Sequence, residues 1–110
     1  MTDVLIVLTN CPDAASARRI AAALVERRLA ACANQMAPVQ SVYRWQGAIE
    51  EAAEVPLLIK CTRARYPEVE AAIRELHPYS VPEIVAWPVA VGYAPYLRWV
   101  DDETQPPQLA

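Results

Sequence analysis

The sequence predicts a single α+β domain in which two helices cover one face of an antiparallel sheet. Three observations carry that expectation. Solid apolar runs of strand length alternate with segments whose apolar residues recur every three to four positions. The length, 110 residues, suits one domain, and 55% hydrophobic residues is more than a disordered chain carries. Ten prolines against two glycines build the turns by fixing φ rather than by freeing it.

Val4 to Leu8 is a continuous apolar run and reads as a buried strand. Cys11-Pro12-Asp13 stops it, and Asp13 is a good N-cap for the helix that follows. Ala17, Ile20, Ala21 and Leu24 share one face of that helix, with Arg18, Arg19, Glu26 and Arg27 on the rest. Ala31 to Trp45 has no helical period and reads as one long, irregular strand interrupted by Pro38. Gln46-Gly47 supplies a turn. A second strand returns through Ile49 and Glu50 to Cys61, with Pro56 at a bulge or an unpaired edge because it cannot donate to a ladder. Pro67 opens a second helix with Val69, Ala72, Ile73 and Leu76 on its core face, and Pro78 ends it. Glu83 to Val91 is another apolar strand, irregular at Pro88. Pro95 opens a short third helix marked by Tyr93, Tyr96, Leu97 and Val100. Residues 104–110 read as a frayed tail, which bounds the domain at 1–103.

The order β-α-β-β-α-β plus a terminal helix is the split βαβ, or ferredoxin-like, plan. Its helix-free face should meet water and show alternating polarity. Val4 to Leu8, Val55 to Ile59 and Ile84 to Val91 are instead apolar on both parities. The second face is therefore expected to be buried against other copies of the chain. The long hairpin around Tyr43 to Leu58 could add edge pairing between subunits.

A net charge of −3 with no basic run gives no footprint for nucleic acid. The longest apolar run is far short of the ~20 residues a bilayer span needs, so no membrane partner is expected. Met1-Thr2-Asp3 lacks a basic leader region, and three cysteines, an odd number, suit reduced thiols; both point to a cytoplasmic protein. One histidine and no GxSxG, HExxH, Walker or dinucleotide pattern argue against an enzyme.

Two groups of residues are candidate sites. Cys11, Cys32 and His77 are candidate metal ligands, since soft thiolates favour copper. Cysteine is also a common small buried hydrophobe, the plainer reading for Cys32 and Cys61, whereas Cys11 sits in a loop and is expected to be accessible. His77-Pro78-Tyr79-Ser80-Val81-Pro82-Glu83 is either a stiff helix-to-strand connection, with His77 at the helix C-terminus, or one wall of a cleft. In the second reading Tyr43, Trp45, Glu50 and Lys60 join Tyr79 and Glu83. Glu50 and Lys60 would otherwise be a solvated pair of little energetic weight.

Long stretches of the chain resemble one family. They are Arg28-Leu29-Ala30-Ala31-Cys32-Ala33-Asn34, Ser41-Val42-Tyr43-Arg44-Trp45-Gln46-Gly47-Ala48-Ile49-Glu50, Leu58-Ile59-Lys60, His77-Pro78-Tyr79, Val81-Pro82-Glu83-Ile84 and Tyr96-Leu97-Arg98-Trp99. In this order they are similar to the CutA divalent-cation tolerance family. That resemblance implies a ferredoxin-like homotrimer with intersubunit clefts, similar in architecture to the PII signalling proteins. It implies a role in tolerance of divalent metal ions, copper above all, with no catalytic activity and no obligatory cofactor. An alternative is a signalling trimer that holds a small anionic ligand or a partner segment in those clefts. Cys32 matches the family's Ala-Ala-Cys thiol. Tyr43, Trp45, Glu50, Lys60, His77, Tyr79 and Glu83 match its signature polar and aromatic positions. Cys11 lies slightly later than the metal-associated thiol of relatives, Cys61 stands where Thr is usual, and Ser80 replaces a common Glu.

Overall fold

In the computed structural model, which describes residues 2–106, β1 (Val4–Cys11) lies in the middle of the sheet. It pairs antiparallel along its whole length with β4 (Ala48–Thr62), from Val4 opposite Thr62 to Cys11 opposite Val55. β5 (Val85–Pro88) pairs antiparallel with the other edge of β1. β2 (Cys32–Gln35) and then β3 (Val39–Trp45) pair with the free edge of β4. The order β2-β4-β1-β5, with β3 continuing along β4, is the ferredoxin-like sheet once β2 and β3 are counted as one interrupted strand.

The interruption has a cause in two prolines. β2 and β3 are separate elements where the sequence reads as one strand, and the break falls at residues 36–38, ending on Pro38. Opposite it stands Pro56 of β4. The Pro56 carbonyl accepts from Met36 N–H at 2.9 Å, so the position where an N–H would stand faces the same gap. Pro56 therefore turns its missing donor towards the gap where the partner on that edge changes from β2 to β3, while its other edge stays paired with Asn10 of β1.

α1 (Ala14–Glu26) starts as expected: the Asp13 carboxylate accepts from Ser16 N–H at 2.7 Å. It ends on Arg28 at φ 59, with Arg28 N–H donating to Val25 O and Leu29 N–H to Leu24 O. This is the Schellman closure, with arginine in the place usually held by glycine. The Arg28 guanidinium reaches on to the carbonyls of Asp102 and Gln105, at the end of α3 (Ala94–Glu103), where a cation suits the helix dipole. A 3₁₀ turn (Arg63–Arg65) leads into α2 (Tyr66–Leu76), which carries Pro67 in its first turn and stops at His77 before Pro78.

α1 and α2 seal one face of the sheet. Leu5, Val7, Leu57 and Ile59 pack there against Ile20, Leu24, Val69 and Ile73. Each such side chain contributes roughly 1.5–3 kcal/mol by leaving water. On the other face a small cluster of Val4, Ala31 and Val100 lies under α3, while Ile6, Leu8 and Leu58 stay partly exposed.

Two expectations are corrected at the chain's later end. The strand foreseen from Glu83 to Val91 is only the four residues of β5, all exposed, because Pro88 cannot donate; Val89 N–H resumes with one bond to Val4 O. Thr104, foreseen as the start of a frayed tail, closes α3: it is buried and its hydroxyl donates to Val100 O at 2.9 Å. Residues 107–110 of that tail lie outside the described residues.

Candidate ligand cleft

The β3–β4 hairpin turns on Gln46 and Gly47, both with positive φ, at 50° and 82°. Two such residues form the type I′ turn whose twist matches a hairpin, and it fixes the register. Tyr43 lies opposite Glu50, and Val39 opposite Glu54. Residues opposite each other share a face, so Tyr43, Trp45, Glu50 and Glu54 project to the same side.

The segment after α2 forms the facing wall. His77 is buried and both ring nitrogens are engaged. Tyr79 N–H donates to Nδ1 at 3.1 Å, which leaves the proton on Nε2, and Nε2 donates to Asn10 O at 2.8 Å. The histidine thus pins residues 77–79 to the end of β1. From there the Tyr79 hydroxyl donates to Glu54 Oε2 at 3.0 Å, and Asn10 Nδ2 donates to Glu83 Oε1 at 3.2 Å.

Between these walls is a cleft of about 590 Å³, within the size range of small-molecule sites. Tyr43, Trp45, Glu50, Tyr79 and Glu83 all line it, so five of the six residues foreseen for a cleft come together in one chain. Sequence reasoning missed Asn10, Ser41 and, above all, Glu54, which is only 8% exposed. Burial, and then the Glu54 carboxylate, push the Tyr79 hydroxyl up to about 12. Tyr43 is raised too, first by desolvation and then by Glu50 across the ladder.

Lys60 is the exception. It follows Glu50 by ten residues on the same strand, roughly 30 Å away. It stands on the helix-free face, where its ammonium donates to Asn34. The foreseen Glu50–Lys60 pair does not form.

The thiols are also dispersed. Cys11 is not an accessible loop residue: it is the last residue of β1, paired opposite Val55 and fully buried. Burial raises both Cys11 and Cys61 to about 11, with the Asp13 charge adding to the effect at Cys11. Cys32 is half-buried at the start of β2, its sulfur 3.6 Å from the Tyr96 hydroxyl. Cys11, Cys32 and His77 do not converge. Among the described residues no three Cys, His, Asp or Glu side chains are placed to share a metal ion.

Fold and site together define a class: small ferredoxin-like α+β proteins with a long projecting hairpin. The CutA1 divalent ion tolerance protein model matches residues 5–103, nine-tenths of the length, and the chain belongs to that family. A curated relative, the divalent-cation tolerance protein CutA of Thermus thermophilus, is 48% identical over 90% of this chain and 96% of its own. Protein CutA of Mus musculus is 44% identical over 87% of this chain, which spans 54% of that longer protein. Among solved structures, CutA of Xylella fastidiosa superposes with a TM-score of 0.92 at 41% identity, over 94% of this chain and 100% of the other.

Proposed function

We propose that the chain is a non-catalytic, cytoplasmic divalent-cation tolerance protein, which works as a PII-like homotrimer and binds metal ions, copper among them. The observation that carries this reading is the family match over residues 5–103. Support for assembly comes from the helix-free face, where Val85 and Trp87 are 47% and 43% exposed beside the half-buried Ile6, Leu8 and Leu58. Support for a soft ion comes from Cys32, the one thiol not sealed in the core. One chain offers a single such thiol, and copper(I) needs at least two soft ligands. Metal binding is therefore coupled to assembly in this reading.

The alternative of an anionic ligand in the cleft depended on Lys60, and the lining carries Glu50, Glu54 and Glu83 with no cationic side chain. Two measurements test the proposal. Light scattering should give three chains per particle, and equilibrium dialysis should show copper uptake that Cys32→Ser abolishes and Cys11→Ser leaves intact. A monomeric mass, or full uptake by Cys32→Ser, overturns it.

A further inference from the structure

We propose that α3 is a latched cover over the Cys32 thiol, with Arg28 as the latch and Tyr96 as the residue that positions the sulfur beneath it. This deepens the thiol-centred reading above, and rests on it only in taking Cys32 as the thiol that matters.

The first support is the place of Arg28. At φ 59 it occupies the left-handed region, which a residue with a Cβ adopts at a cost that glycine escapes. Glycine would close α1 equally well. What arginine adds is reach. Its Nε donates to Gln105 O at 3.1 Å and its Nη2 to Asp102 O at 3.2 Å. The last turn of α3 carries Asp101, Asp102 and Glu103 and no basic residue, so negative side chains crowd the negative end of the helix dipole. The Arg28 guanidinium supplies, from α1, the cation that α3 lacks there.

The second support is how little else holds α3. Val100 is its one buried residue, and with the partly buried Leu97 it rests on Val4, Ala31 and Val89. The approach to the helix and its first turn, residues 90–96, are exposed throughout. A helix on so small an apolar contact opens at a lower free energy than the strands beneath it. Two charge-assisted hydrogen bonds are then a large share of what keeps it closed.

The third support is what lies underneath. Ala31, packed under Val100, is followed directly by Cys32, whose sulfur is 3.6 Å from the Tyr96 hydroxyl. Burial, and then the thiol itself, raise that hydroxyl to about 12, so it keeps its proton and stays a neutral partner for the sulfur. The Tyr96 and Trp99 rings lie 5.7 Å apart on the same helix and move with it. When α3 lifts, Tyr96 leaves and the thiol is open on that side.

Peptide-resolved labelling of the full-length protein in its native assembly, with the neutral reagent dipyridyl disulfide, tests the inference beside amide hydrogen exchange. Arg28→Gly keeps the left-handed turn and removes the latch. Cys32 should then react about tenfold faster or more, and the amides of residues 97–103 should exchange faster by a similar factor. Cys11 and Cys61, sealed under α1 and α2, should keep their wild-type rates. Arg28→Lys retains the charge without the fork and should fall between. Tyr96→Phe removes the contact with the sulfur and keeps the ring. It should speed Cys32 about threefold and leave the exchange of α3 unchanged. If Arg28→Gly loses its circular dichroism signature, Arg28→Asn, which also tolerates the turn, decides. The inference is overturned if Cys32 keeps its wild-type rate without the latch or in Tyr96→Phe, or if the amides of α3 do not respond to loss of the latch. A parallel rise at Cys11 and Cys61 also overturns it, since it would mean a general loosening. No copper enters the measurement, so failed copper uptake would refute the metal reading and leave this one standing.

Discussion

On the face of the sheet covered by α1 and α2, Val7, Leu57 and Ile59 are fully sealed. On the opposite face, the neighbours between them on the same strands, Ile6, Leu8 and Leu58, remain partly exposed, and Trp87 stands beside them in the open. The residue types are alike and only the covering differs. α3 seals the second face at one end alone, through Val100 over Val4 and Ala31. The lesson is that the missing polar alternation records burial on both sides, while the chain's own helices supply only one of the two covers.

Thiol chemistry offers the largest contrast between the faces. Cys11 and Cys61 belong to the covered face, opposite Val55 and Leu5, and Cys32 to the other, opposite Lys60. With thiols raised to about 11, only about one in a thousand of Cys11 and Cys61 is thiolate at pH 8, and both are also shielded from reagent. Disulfide-exchange labelling in native buffer should modify Cys32 at least a hundredfold faster than either, with all three equal in denaturant. Equal native rates would break the comparison.

Truncation comes next. Ile59→Ala opens a cavity in the sealed face and should cost about 2–5 kcal/mol in urea unfolding. An effect below about 1 kcal/mol would mean that the helices do not hold that face closed. Trp87→Lys probes the other side. It should leave the covered core intact but raise the subunit dissociation constant about a hundredfold, or roughly 2.7 kcal/mol, in sedimentation. An unchanged dissociation constant would place any subunit contact elsewhere.

Much of this division is legible in the sequence, because it rests on local signals. Asp13 as a cap, Pro67 and Pro95 in first helical turns, Gln46-Gly47 as a turn, and the two-sided apolar strands are each set by a few neighbouring residues. What is not legible depends on distant pairing. Pro12-Asp13 after Cys11 reads as a loop, but pairing with Val55 carries β1 one residue further and buries the thiol. Glu50 and Lys60 look like partners only until β4 is seen as one strand of 15 residues. Glu54 carries no local signal that sets it apart from Glu50 and Glu51. Its burial requires Tyr79, 25 residues away, to fold over it.

The smallest effect expected concerns what holds the cover in place. Asp13 sits at the start of α1, and hydrogen bonding from Ser16, with Arg19 a lesser influence, holds its carboxyl below the usual 3.8. A depressed carboxylate contributes stability that is complete above its unfolded value and disappears as pH falls through its folded one. The cap should therefore act fully at neutral pH and fade below about pH 4. Asp13→Ala should lower the melting temperature by roughly 4 °C at pH 7. The difference from wild type should shrink towards zero in strong acid. If the difference were as large at pH 2 as at pH 7, the charge of Asp13 would not be what secures α1, and the covered face would owe its closure to packing alone.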